Sequence, residues 1–172
     1  WYASFSSSIT QVVSGADTPT PITYDTIEMA SGITVSGSII EVEHNGVYEI
    51  SYSPQVEKTG DGQSEVNIWL RKNGTDILRT DSILDLQANT VKTLPFVSVL
   101  ADLLAGDYVE IIFASGNPYT QITAVGAKTS PYASPAAPSI IMVIKQVGVA
   151  VGTTSGSSGS SGTSGSSGSS GT

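Results

Sequence analysis

"GVYEISYS", residues 46–53, decides the fold class. Tyr48, Ile50 and Tyr52 share one side of an extended chain, and Glu49, Ser51 and Ser53 share the other. A period of two with aromatic and β-branched residues on one face is the pattern of a half-buried β-strand. The same alternation returns in "EVNIWLRK" (65–72), where Val66, Ile68 and Leu70 oppose Asn67, Trp69 and Arg71. Between and around these stretches, short runs of Val, Ile, Thr, Tyr and Phe recur, separated by Gly, Pro, Asn and Asp, and no stretch longer than about ten residues carries a 3.6-residue period.

Working outward, strands are expected over 2–13, 22–27, 33–42, 46–57, 65–72, 76–86, 90–100, 107–115, 121–128 and 139–147. "NGT" (73–75) is the strongest hairpin signal, since Asn-Gly accepts the two positive φ angles of a type I′ turn. Nine or ten strands in one domain predict an all-β, two-sheet jelly-roll sandwich over residues 1–148. Residues 149–172 form a separate low-complexity tail, in which glycine falls at 156, 159, 162, 165, 168 and 171. Gly-Ser sequence alone reads as a flexible linker, whereas a strict Gly-x-y period reads as a triple-helical stalk. Without proline each Ser-Ser-Gly triplet carries a large ordering cost, so stalk, native linker and cloning remnant all stand as readings of the tail.

The last strand differs from the others. "SIIMVIKQV" (139–147) places Ile140, Met142 and Ile144 on one face and Ile141, Val143 and Val147 on the other, with Lys145 as the interruption. A sandwich strand has one face in its own core, so a second apolar face calls for another cover. With no helices to spare, that cover is a second subunit. "YVEIIFAS" (108–115) gives a weaker version, with Tyr108 and Ile112 on its second face. Ile141, Val143, Val147, Tyr108 and Ile112 are therefore the candidate subunit-interface residues.

Composition narrows the function. The chain has 172 residues, 13% of them charged, with a net charge of −8. An acidic chain repels phosphate and anionic lipid, which argues against nucleic-acid and membrane partners. It has no cysteine, so disulfides and Cys-based zinc sites are excluded. No apolar run approaches the roughly 20 residues that span a bilayer. The chain opens on Trp1 with no secretory pattern, and is expected to be a processed product or a fragment.

Catalytic candidates are few. The single histidine, His44, sits beside "NG" and reads as a turn residue, not a base. No G-x-S-x-G occurs, and "GDGQSE" (60–65) lacks the third glycine of a dinucleotide loop. Glu41 with Glu43, Asp81 with Asp85, and Asp61 with Glu65 are the carboxylate pairs. An oxygen-ligand calcium site at Asp61 and Glu65 competes with the favoured reading of solvated acids. Neither a catalytic residue, a metal nor a cofactor is assigned. "NGT" is formally a glycosylation sequon, but the turn explains it. Tyr119 and Tyr132 lie in Pro-rich loops, facing either a receptor or glycan, or the sandwich end. Trp1 and Trp69 are weak markers of a sugar site.

"NGVYEISYS" also resembles the Gly-x-Tyr-x-Phe-x-Tyr segment of the C1q/tumour-necrosis-factor-like jelly roll, through Gly46, Tyr48 and Tyr52, with Ile50 in place of Phe. "LLAGDYVEIIF" (103–113) resembles the family's Gly-Asp-x-Val strand through Gly106, Asp107 and Val109. "EVNIWLRKNGTDI" is similar to a hairpin of phage and large-virus members, and "PSIIMVIKQV" to their final strand. Ile50 and the absence of a Phe-rich ending shift the resemblance from receptor ligands and complement toward the viral and bacterial branch. The resemblance implies a homotrimer with the final strand near the threefold axis, the first and last strands adjacent, and frequent attachment to a Gly-x-y stalk. Three readings follow. One is a trimeric structural or attachment module of a virion: capsid fibre, decoration or tail fibre. The second is an extracellular filament or surface-layer subunit assembling by donation of strand 2–13. The third is an extracellular carbohydrate- or receptor-binding module.

Overall fold

The computed structural model describes residues 1–87 and 92–149. Within them lie fifteen strands and no helix. In chain order they are β1 (Tyr2–Ser7), β2 (Gln11–Val12), β3 (Thr20–Pro21), β4 (Thr26–Ser31), β5 (Ile33–Ser36), β6 (Ile39–Val42), β7 (Gly46–Pro54) and β8 (Val56–Lys58). They continue with β9 (Ser64–Lys72), β10 (Thr75–Asp76), β11 (Ser82–Leu86), β12 (Val97–Leu103), β13 (Tyr108–Ser115), β14 (Thr120–Ile122) and β15 (Ile140–Gly148).

Two antiparallel sheets face each other. One runs β12-β7-β15-β1-β4; the other runs β10-β9-β13-β6-β5, with β11 also on β9 and β3 also on β13. A small sheet, β2-β14-β8, closes one end. The chain crosses between sheets repeatedly, so sequence neighbours are seldom sheet neighbours, as a jelly roll requires. The first and last strands pair directly, Phe5 opposite Met142.

The core forms where the inward rows meet. Tyr48, Ile50 and Met142 from one sheet and Ile68, Leu70, Ile111 and Phe113 from the other are fully buried. Each such side chain contributes roughly 1.5–3 kcal/mol by leaving water. The alternation read in 46–53, 65–72 and 139–147 holds residue by residue.

Several strand boundaries are corrected. The expected strand 33–42 is a hairpin, because Gly37 takes a φ of 61° and folds β5 back on β6. Segment 22–25 is not a strand: the exposed Asp25 carboxylate accepts the Ser8 amide at 2.9 Å and the Ser8 hydroxyl at 2.6 Å. The expected strand 76–86 is broken by Arg79 at a φ of 67°. At the "NGT" turn Asn73 and Gly74 have φ angles of 49° and 78°, the type I′ signature. The expected strand 2–13 is also split, into β1 and β2. β1 is paired on both sides within its own chain, and Ala3 and Phe5 are buried in its own core.

Candidate functional site

The outward face of the five-stranded sheet is the candidate site. At its centre β15 turns Ile140, Met142 and Ile144 inward and leaves Ile141, Val143 and Val147 exposed by 49%, 38% and 50%. A register shift against β7 falls at Gln146/Gly148, around Val147. The flanking outward residues are small: Ser51 and Ser53 on β7, Ser4 and Ser6 on β1, in register with Val143 and Ile141. Branched aliphatic side chains therefore stand as a ridge above two rows of hydroxyls.

More apolar groups border the ridge. Beyond β7, the alternation of β12 runs back into the preceding loop and exposes Leu100, Phe96 and Leu94. Beyond β1, Tyr2 and Met29 are exposed along the β1/β4 edge. Polar groups sit among them, including Glu28, which accepts the Ser6 hydroxyl at 2.9 Å. Glu49 pairs with Lys145 at 3.1 Å and accepts the Ser98 hydroxyl at 3.1 Å. The Lys145 hydrogen bond, then that of Ser98, lowers the Glu49 pKa below its ordinary value. The ion pair is thus already satisfied within one chain. So many large apolar side chains exposed on one sheet face are unusual on a monomer.

The five interface residues expected from sequence do not form one surface. Ile141, Val143 and Val147 share the ridge, but Tyr108 and Ile112 lie on β13 in the opposite sheet. Ile112 is corrected outright: it is fully buried between its cross-strand neighbours Trp69 and Pro21, and its own chain supplies the cover. On β13 it is the bulk of these neighbours, Trp69 on β9 and Pro21 on β3, that covers the outward Ile112. Tyr108 is half-buried.

The motif residues have structural employment. Gly46 leaves no room for a Cβ, which would meet the Gln146 amide. Tyr48, Ile50, Tyr52 and Val109 are core. Gly106 takes a φ of 84° in the turn before β13. Asp107 follows it, binding Lys72 at 2.6 Å, the Leu104 amide at 2.8 Å and the Asn73 side chain at 2.6 Å. Burial raises its pKa, but the Lys72, Leu104 and Asn73 contacts outweigh burial and bring it down to about 2.

The other candidates resolve simply. His44 is not a solvated turn residue: its ring stacks on Trp1 at 3.8 Å. The Asn73 amide nitrogen donates to Asp107, and its oxygen accepts the Tyr108 amide, so the sequon asparagine braces the hairpin. Tyr119 packs over Gly60, and Tyr132 is exposed. Among the described residues no three His, Asp or Glu side chains are placed to share a metal ion.

Sequence reading missed an open groove on the outward face of the other sheet, beside Trp69 on β9. The outward alternation of Asn67 and Trp69 was the available signal. Reading 76–86 as one strand hid the loop that forms the groove wall.

No family model and no curated protein sequence matches this chain. Solved structures do. The globular domain of zebrafish complement 1qA protein superposes with a TM-score of 0.53 at 12% identity, covering 86% of this chain and 98% of that one. Murine APRIL, in its crystal structure at pH 8.0, gives 0.52 at 13% identity, covering 84% and 97%. The fold is therefore a C1q/TNF-like jelly roll. At these identities the likeness extends to the fold alone.

Proposed function

We propose that this chain is a non-enzymatic homotrimeric module, a structural or attachment head of the fibre, decoration or tail-fibre kind at a virion surface. The observation that carries the trimer is the ridge Ile141–Val143–Val147, with Leu100 and Phe96 exposed on one flank and Tyr2 and Met29 on the other. The two flanks are chemically different, so one protomer's β12 edge and its neighbour's β1/β4 edge make a heterologous contact. Such contacts close into rings when the rotation allows. The serine rows let neighbouring backbones approach, and β15 then lies next to the axis.

The surface setting is supported by the low-charge, Ser/Thr/Gly-rich sequence and by the resemblance of residues 65–77 and 138–147 to phage and large-virus members. Among the described residues no helix is long and apolar enough to cross a membrane. The Gly-Ser-Ser tail, 149–172, lies outside the described residues apart from Val149. Electron cryomicroscopy of the native assembly tests the setting. Threefold heads projecting from a particle or fibre are the expected image. Head-to-tail filaments of single copies contradict it and favour the surface-filament reading.

A further inference from the structure

The groove on the outward face of the seven-stranded sheet has a volume of about 760 Å³ and is open along its length. That lies within the range of about 300–1,000 Å³ typical of ligand clefts. Its floor is the outward row of β9, Asn67 and Trp69, with Ala114 of β13 beside it. One wall is the 76–81 connection and the other is formed by Asp17 and Asn117. We propose that this groove binds a neutral oligosaccharide.

Four features of the groove argue for that ligand class. First, Trp69 is partly exposed and held in place: its indole N–H donates to Asp76 at 2.8 Å, and Asp76 is itself fixed by Arg71 at 2.9 Å. The electron-rich face of an indole attracts the slightly positive C–H edge of a pyranose, and a ring already locked loses little entropy on binding. Leu78, 87% exposed on the wall, supplies a second apolar contact.

Second, the polar lining consists largely of planar amides and carboxylates, which reach vicinal hydroxyls with paired oxygen and nitrogen atoms. Asn67 and Asp81 are already joined at 2.9 Å, so both planes are oriented before a ligand arrives. Third, the lining carries four carboxylates, Asp17, Glu65, Asp76 and Asp81, against the single guanidinium of Arg79. That balance disfavours sialylated, sulfated and uronic sugars.

Fourth, of the three described non-glycine residues with positive φ, Asp17 and Arg79 flank this groove, while the third serves the Asn73 hairpin. Unfavourable backbone conformations concentrate at ligand sites, where the surrounding structure holds them. The groove lies on the sheet opposite the ridge, so trimer formation leaves it open. It exists within one chain, so its failure and the failure of the trimer are read separately.

The test presents maltohexaose, cellohexaose, xylohexaose and mannohexaose to the full chain by calorimetry, with hexagalacturonate and spermine as charged controls. At least one neutral hexasaccharide is expected to bind with a Kd below 1 mM. Trp69→Ala and Asp81→Asn are each expected to weaken it tenfold or more. Asp81→Asn serves as the second arm should Trp69→Ala lower the melting temperature by uncovering Ile112. Binding of none of the four neutral sugars, retention of binding in Asp81→Asn, or binding of hexagalacturonate or spermine alone overturns the assignment.

Discussion

Tyr48 and Tyr52 stand two residues apart on β7, both fully buried, yet their hydroxyls meet different fates. Tyr48 donates to the His44 carbonyl at 2.8 Å, whereas the Tyr52 hydroxyl has no partner among the described residues. Burial, and then the Asp81 charge, push the Tyr52 pKa well above its ordinary value, so the group stays neutral. A satisfied buried hydrogen bond is worth about 1 kcal/mol, and an unsatisfied hydroxyl costs a similar amount. Tyr48→Phe is therefore expected to lose about 1 kcal/mol in urea unfolding, and Tyr52→Phe to lose nothing or to gain. Equal losses in the two variants would show that the Tyr52 hydroxyl has a partner.

Asp107 gives the pH dependence at the same scale. Its folded-state pKa of about 2 lies below its ordinary 3.8. The charged form therefore stabilises the fold above pH 4, and the contribution is lost as pH falls toward 2. Asp107→Asn is expected to destabilise by about 1–2 kcal/mol at pH 7, after allowance for its partial exposure, and by nearly nothing near pH 2. A difference that persists unchanged in acid would separate the loss from the Lys72 and Asn73 contacts. "Gly-Asp" reads in sequence as turn chemistry, but its partners Lys72 and Asn73 lie more than thirty residues away, at the end of β9, and the pairing of β9 with β13 carries no local signal.

At the scale of elements, β7, β9 and β15 were legible because their period-two pattern is long and uninterrupted. The errors cluster where one residue bends the chain without breaking the hydrophobic run. Gly37 does so between β5 and β6, and Arg79 does so between β10 and β11. An arginine in the left-handed region has no sequence signature, and the groove wall it builds was illegible for that reason. Ile112 failed differently: its outward position was correct, but its cover comes from β9 and β3, which only the sheet order reveals. The ridge of β15 was legible because two apolar faces on one strand need two covers. Ile141→Asp with Val143→Asp introduces charge on the exposed face alone. The double variant is expected to stay folded, with strand circular dichroism intact and melting changed by only a few degrees, while losing self-association at micromolar concentration. An associated double variant would remove these residues from the interface.

For the whole molecule, the two sheets divide the labour. One sheet's outer face is an apolar ridge with unlike flanks, and the other's is an acidic groove set around a fixed tryptophan. A single chain buries its own core yet leaves Leu100 and Phe96 67% and 72% exposed. The central claim is that the ridge closes a threefold ring. Light scattering coupled to size-exclusion chromatography, at micromolar protein and physiological salt, measures it directly. The mass expected is three times that of the 17.7 kDa chain; a single peak at the mass of one chain contradicts it.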